Sequence, residues 1–436
     1  MQEKQAAKAE LAEALVIQGG GFALGLATHM LLARWLGPAA YGDVAVTMSV
    51  AALCTTLSLR GLDRFSSLKV SSLVADGQPE MAKAYQRFAF RTTLLTGLAL
   101  AFGLFVVVSI VERAFGLDEH AVRYAALLIV PAALAALLGR ILTGWQRPLA
   151  ATATSQLFGR VLLLATLALL VKRQVTASEL MAVVVFALAW VAVLGLLAFF
   201  LRDSWRRGEP APTNQLGPGQ PGADQYRAWR TGAHAYLISA LAVVAAEQSG
   251  VLILELLHSS EETIGLFAAA GRTATLPMIA LTAVRALAVP KLAAIHKKDP
   301  AAIEDVLRPY SRFLAIAGVV SFLAFVIWGD LLLSLFGHST ERAHVMLVWL
   351  GCGFLVLLGS GLVLPLLYIY EERRLVANSM ISYLGLTVIL ALVAVPLAGG
   401  EGVAASHAVA VLINSAYLVR ELRRRTGIRY LNFFAR

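Results

Sequence analysis

The sequence predicts an all-α integral membrane protein with 12 transmembrane helices arranged as six plus six. Three observations carry this. Of 436 residues, 58% are hydrophobic and only 15% are charged, against roughly 45–50% and 25% in a globular domain. The mean hydropathy is +0.73 with a net charge of +10, as expected for many spans joined by short basic loops. A polar, Pro- and Gly-rich stretch interrupts the apolar runs halfway along the chain. Cys54 and Cys352 both lie inside apolar runs, which excludes a secreted disulfide scaffold. The basic residues are scattered between spans, so no nucleic-acid partner is expected.

A hydrocarbon core about 30 Å thick requires roughly 20 apolar helical residues per crossing. Such runs lie near 14–36, 43–60, 88–111, 121–143, 151–171 and 178–201, and then 230–254, 262–286, 310–336, 343–369, 374–397 and 402–420. The first run is too long for a signal-peptide core and reads as a retained helix. With the N-terminus placed in the cytoplasm, inward segments hold 30 of the 37 Lys and Arg. Outward loops hold Arg34, Arg113, Arg123, Lys172, Arg173 and Arg342, and Arg272 alone stays inside a span. This positive-inside excess places both termini in the cytoplasm, because losing one span would invert the pattern beyond it.

The midpoint stretch, GEPAPTNQLGPGQPGADQ, has almost nothing to bury and reads as a cytoplasmic linker. The expected organisation is therefore an N-terminal six-helix bundle (1–201), a linker (202–229), a C-terminal six-helix bundle (230–420) and a basic tail (421–436). The tail mixes arginines with Tyr430, Phe433 and Phe434. That composition suits either a segment lying on the anionic inner leaflet or an untethered polar end.

The two bundles share a plan. LARWLGPAAYGDVAVTMSVAAL and LELLHSSEETIGLFAAAGRTATL each run from a helix end through an outward turn into the next helix. Tyr41-Gly42 then pairs with Ile264-Gly265. Six spans per half is an even number, so both halves enter from the same side, and the repeat axis lies along the membrane normal.

LLARWLGPAAYGDVAVTMSV followed by LSLRGLDRF resembles the opening of the polysaccharide-biosynthesis membrane proteins, the O-antigen-type flippases. IGLFAAAGRTATLP, VPKLAAIHKKDP and LLSLFGHSTERA agree in the second half. VPLAGGEGVAASHAVA is similar to a late family segment, with Ala-Gly-Gly-Glu-Gly in place of the usual glycine spacing. The resemblance implies the fold of the multidrug/oligosaccharidyl-lipid/polysaccharide (MOP) exporters: two bundles in a V that move sugar-linked lipids by alternating access. It implies a lipid-linked oligosaccharide as substrate. Membrane lipids are partners, and the glycan polymerase or glycosyltransferases of the same pathway are candidate partners.

No catalytic constellation is present. There is no Walker loop and no Cys/His metal spacing, and each outward loop is short, so the chain reads as a non-enzyme without a resident cofactor. A coupling ion, H+ or Na+, is left open.

Ionisable groups inside spans are costly and face a cavity or a partner. Glu247, Arg272 and His29 each lie about 12–15 Å from the outer end of their helix, near the midplane. In the functional reading Arg272 offers a bidentate donor fork to phosphate or a sugar carboxylate, and Glu247 holds or releases it. In the alternative, Glu247 and Arg272 are a satisfied structural pair and His29 is a packed core histidine. A lower set comprises Arg60, Arg64, Arg91, Arg140, Arg160 and Arg285. These could form a cationic inner vestibule for a pyrophosphate-linked substrate, or simply snorkel to headgroups as topology charges. Pro131, Pro277, Pro365 and Pro396 fall within spans, where each favours a kink, and the first three are candidate hinges. Gly21-x-x-x-Gly25 permits close contact between helices.

These features fit an exporter of a polyprenyl-pyrophosphate-linked oligosaccharide. A drug/cation antiporter of the same superfamily would need an acidic cavity, for which only Glu247 argues. A non-transporting scaffold of a glycan-assembly complex would lack midplane charges.

Overall fold

The computed structural model describes residues 2–115, 120–207, 222–298, 302–337 and 341–430. The helices of the first half are α1 (Gln2–Leu36), α2 (Pro38–Leu59), α3 (Leu62–Ala75), α4 (Pro79–Phe115), α5 (His120–Tyr124), α6 (Ala126–Gly144), α7 (Pro148–Ala153), α8 (Gly159–Lys172) and α9 (Glu179–Arg207). Those of the second half are α10 (Ala223–Leu256), α11 (Glu261–Ala274), α12 (Met278–Lys298), α13 (Ile303–Ser334), α14 (Glu341–Gly359), α15 (Val363–Ile369) and α16 (Arg373–Thr426). No strand occurs among the described residues.

Among the described residues, eleven helical segments are long and apolar enough to cross a membrane. The last, α16, has 54 residues and as a straight rod would run about 81 Å, far beyond one bilayer. It is a hairpin. Gly399 adopts φ 52 and ψ −130, outside the range open to most L-residues. A Cβ on Gly402 would meet the backbone of Ala394. Tyr383 and His407, 24 positions apart, touch through the tyrosine hydroxyl at 3.2 Å. The reversal splits α16 into the eleventh and twelfth spans, so the count of twelve holds.

The helices run further than the hydrocarbon requires. The expected loop between spans 2 and 3 contains α3, which buries Leu62, Ser66, Val70 and Leu73 and is therefore amphipathic rather than apolar. A window tuned to lipid-length apolar runs passes over such a helix. Arg60 (φ 50) and Gly61 (φ 80) form the left-handed break between α2 and α3. Gly61 is required there, because a Cβ would collide with the Ala233 carbonyl of α10.

The chain forms two compact units, one of Met1–Leu36 with Asp43–Gln248, the other of Gly37–Gly42 with Ser249–Arg436. The division falls inside α10 rather than at the linker, whose residues 208–221 lie outside those described. Aromatic packing explains where the first part of α10 goes. Trp229 is 2% exposed and meets Tyr85 and Tyr226 edge-on at 5.1 and 5.3 Å between ring centroids. Phe65 fills the space that Gly232 leaves.

Within the first unit, α1 lies against the fifth span at the pair of glycines noted in the sequence. A Cβ on Gly21 would come within 2.8 Å of Gln156 Cβ, and one on Gly25 within 2.7 Å of the Arg160 guanidinium. Gln156 belongs to a single π turn, Thr154–Phe158, that joins α7 to α8.

The tail differs from both expectations. Ile428 and Tyr430 are 4% and 3% exposed and belong to a core cluster with Leu307, Leu362 and Leu366. Neither a leaflet-bound nor an untethered end buries them so. Phe433 and Phe434 lie outside the described residues.

Candidate substrate-facing site

The helix that carries Arg272 is set by local signals. The Ser260 side chain caps α11 by accepting from the Thr263 N–H at 3.3 Å, and Glu261 and Glu262 occupy the first turn, where the helix dipole favours acids. Ile264 to Ala270 are all buried, which is the pattern of a helix surrounded by protein. Arg272 is exposed just beyond that stretch. α11 ends at Thr275–Pro277, so the sequence-expected kink at Pro277 is a full helix break, placed one turn after the arginine. Arg272 lies beside Tyr41, which is 2% exposed and packs on Phe336 at 6.5 Å between centroids. The sequence marked Tyr41 only as a turn residue of the repeat.

The repeat motifs themselves meet. A Cβ on Gly42 would sit 3.0 Å from the Gly265 nitrogen, and one on Gly265 would sit 3.2 Å from the Gly42 nitrogen. Each would also strike a backbone carbonyl, that of Glu261 or of Pro38. The two glycines that the sequence paired as equivalents are thus in reciprocal contact within the second unit.

Glu247 and His29 belong to the first unit. Glu247 is exposed on α10, one residue before Gln248, whose amide oxygen accepts from the buried Ser49 hydroxyl at 2.9 Å. His29 is half-buried, 6.4 Å from the Phe186 ring.

Four arginines of the lower set also lie in the first unit. Arg60 and Arg64 are half-buried and Arg91 and Arg140 exposed. Among the described residues none of the four makes a side-chain hydrogen bond or ion pair. Ser66 and Tyr85 share a hydrogen bond at 2.9 Å and so mark one level in α3 and α4. Arg91 lies six residues, roughly 9 Å, further along α4, and Arg64 two residues, about 3 Å, back along α3, while Arg60 stands at the break before α3. Arg140 approaches the level of Arg64, since Gly144, four residues on, touches Val70 of α3.

Two of the arginines are engaged elsewhere. Arg160 donates to the Gly21 carbonyl of α1, and Arg285 Nε donates to the Gly361 carbonyl at 3.0 Å. Arg285 does not end its span, as the sequence suggested, because α12 continues to Lys298. Of the proline hinges, Pro365 follows a break at Ser360–Leu362, whereas α6 continues through Pro131. Pro131 stands six residues into α6, past the first turn, so it leaves the Leu127 carbonyl without its i+4 donor although the helix continues. Pro396 also stays helical, and the reversal comes at Gly399.

Sequence reasoning overlooked two ionisable contacts inside spans. His407 pairs with Tyr383, and His344 Nδ1 lies 3.0 Å from the Asp330 carboxylate. The signal that singled out His29, an ionisable residue in an apolar run, applies equally to His407. No group of three His, Cys, Asp or Glu that could hold a metal occurs among the described residues.

A family model described as polysaccharide biosynthesis protein matches residues 12–296. No curated protein matches the sequence. Among solved structures, the chain is similar to a multidrug resistance MATE family transporter of the MOP superfamily in its inward-facing conformation. The TM-score is 0.74 at 14% identity, covering 95% of this chain and 94% of that one. It is also similar to the lipid II flippase MurJ in an inward closed conformation, with TM-score 0.73, 14% identity, and 94% and 87% coverage. A MOP superfamily transporter from Pyrococcus furiosus gives TM-score 0.63 at 13% identity, covering 96% and 95%. At these identities the likeness is one of fold, and the fold is that of the MOP transporters.

Proposed function

We propose, for a chain that belongs to the polysaccharide biosynthesis protein family, that it is a flippase of the cytoplasmic membrane, with both termini inside. Its substrate in this reading is a polyprenyl-pyrophosphate-linked oligosaccharide, moved by alternating access. The observation that carries the reading is the set Arg60, Arg64, Arg91 and Arg140, four cations of one unit without a protein partner among the described residues. A guanidinium in or beside a span is retained at a cost unless water and an anion reach it. A pyrophosphate supplies several acceptor oxygens matched to guanidinium forks. Arg272, exposed on α11, would meet the head group as well, with Glu247 and His29 as further polar groups of the path. The lipid tail would stay in the bilayer.

A cation antiporter is disfavoured by the same set, because four unpaired positive charges repel a cationic drug. Proton or sodium coupling, and assembly with glycosyltransferases or a polymerase of the pathway, belong to the proposal as well.

The test is reconstitution in vesicles with a fluorescent polyprenyl-pyrophosphate oligosaccharide, following its movement between leaflets. The chain should accelerate flipping, and Arg272→Ala or a paired Arg64→Ala, Arg140→Ala variant should slow it at least tenfold. Unchanged rates in every arginine variant would remove the site assignment. No flipping by the unaltered chain, with a cationic dye transported instead, would replace the function.

A further inference from the structure

Span 10 breaks at Ser360–Leu362, between α14 and α15, and leaves two backbone groups that no helix serves. Pro365 has no N–H, so the Gly361 carbonyl four residues earlier has no helical donor. The Leu362 N–H has lost its regular acceptor. The Gly361 N–H takes the Leu358 carbonyl at 3.0 Å, and the Val363 N–H takes that of Ser360 at 3.0 Å. Side chains from distant parts of the second unit meet both orphans. Arg285 Nε of α12 donates to the Gly361 carbonyl at 3.0 Å. The Tyr430 hydroxyl accepts from the Leu362 N–H at 3.0 Å. Ser360 Oγ adds a third tie, donating to Ser415 Oγ of α16 at 3.0 Å.

The surroundings fit this one arrangement. A Cβ on Gly361 would lie 3.1 Å from the Leu358 carbonyl and 3.2 Å from Leu314. Tyr430 reaches the break because Gly427 (φ 77) closes α16 in the left-handed region and turns the chain back. The returning segment is held by the Glu304 carboxylate, which accepts the Arg429 N–H at 2.7 Å.

We propose that residues 427–430 are a latch on span 10, in which Tyr430 and Arg285 replace the helical partners that the break removes and so hold the span bent. With the latch open, the Leu362 N–H can return to the Leu358 carbonyl and the span straightens toward the smaller kink that Pro365 itself sets. The end of the chain thereby controls the shape of a transmembrane helix whatever the cargo. Arg285 acts as a positioning residue for the hinge and is not a substrate ligand.

The test uses the full chain in lipid nanodiscs, with Cys54 and Cys352 replaced by alanine. Spin labels are placed at the exposed positions 349 and 368, about 28 Å apart along a straight helix. The parent chain should show one distance shorter than that. Tyr430→Phe keeps the ring and removes the acceptor, and should raise the share of a straighter, longer-distance state about tenfold, the effect of one buried hydrogen bond. Arg285→Leu should do the same, while Arg285→Lys, which retains a donor, should stay close to the parent. An unchanged distance distribution in Tyr430→Phe overturns the latch, even if the melting temperature falls, since that is all a merely structural contact would give. The Tyr430→Phe result decides the matter should Arg285→Leu fail to fold.

Discussion

Gly42 and Gly265 meet backbone to backbone, each leaving room for the other's chain where a Cβ would stand 3.0 or 3.2 Å from the partner's nitrogen. Such reciprocity is what two copies of one motif produce when they meet about a shared two-fold axis. The atoms in the way are backbone and cannot rotate aside. Gly265→Ala should therefore displace the 37–42 turn and cost about 1–3 kcal/mol, as overpacking does. Gly271, on the same helix, has nothing within 4 Å of its Cβ position. Gly271→Ala should be neutral or stabilising by up to about 1 kcal/mol, since alanine is the better helix former. Thermal unfolding in detergent measures both, and equal effects at the two positions would contradict the close contact.

Helix α1 offers a second contrast within one helix. A Cβ on Gly21 would stand 2.8 Å from Gln156 Cβ, and the Gly21 carbonyl accepts from Arg160, whereas a Cβ on Gly19 would meet open space. Lipid gives helices no hydrophobic reason to associate, so close packing and such hydrogen bonds hold α1 on the fifth span. Gly21→Val should lower the melting temperature clearly and Gly19→Ala should not. Arg160→Met should lose about 0.5–1.5 kcal/mol for the hydrogen bond, with no change in the binding of an anionic substrate. Weakened substrate binding by Arg160→Met would return this arginine to the substrate path.

Much of the fold was legible because lipid imposes simple demands. Backbone groups must be satisfied within each span, so apolar length and loop charge report crossings directly. The repeat was legible through Tyr41-Gly42 and Ile264-Gly265, and their mutual contact could not be foreseen because spacing carries no third dimension. The amphipathic α3 escaped a search for uniformly apolar runs. Charge sign alone did not separate Arg285 and Arg160, which serve backbone carbonyls, from Arg64 and Arg140, which make no side-chain hydrogen bond or ion pair among the described residues. The pairing of Arg285 with Gly361 had one sequence clue: Pro365 leaves the carbonyl four residues earlier without a donor.

Trp229 anchors the N-terminal end of α10 through rings of Tyr85, Phe88 and Tyr226, all between 5.1 and 5.6 Å away. It is among the largest fully buried side chains of the molecule. Trp229→Ala should destabilise by about 3–5 kcal/mol, the usual cost of a large cavity. Trp229→Phe should recover much of this, because edge-to-face contacts persist and the indole N–H has no hydrogen-bond partner to lose. Chemical or thermal unfolding of the two variants provides the measurement, and a full loss in Trp229→Phe would show that the indole's size alone matters.

Tyr430 also predicts how stability responds to alkali. Burial pushes its hydroxyl above the ordinary value of 10.0, with the Leu362 hydrogen bond and nearby Arg285 opposing in part. The folded chain therefore keeps a proton that the unfolded chain releases above about pH 10. Stability linked to this group is complete below pH 10 and declines as pH rises further, because the unfolded state then binds fewer protons than the native one. Tyr430→Phe removes the titrating group while leaving the packing of the ring. The variant should start from a slightly lower melting temperature at pH 8 and lose less of it between pH 9 and 11 than the parent. Parallel pH profiles for the two proteins would mean that the buried hydroxyl does not carry the linkage.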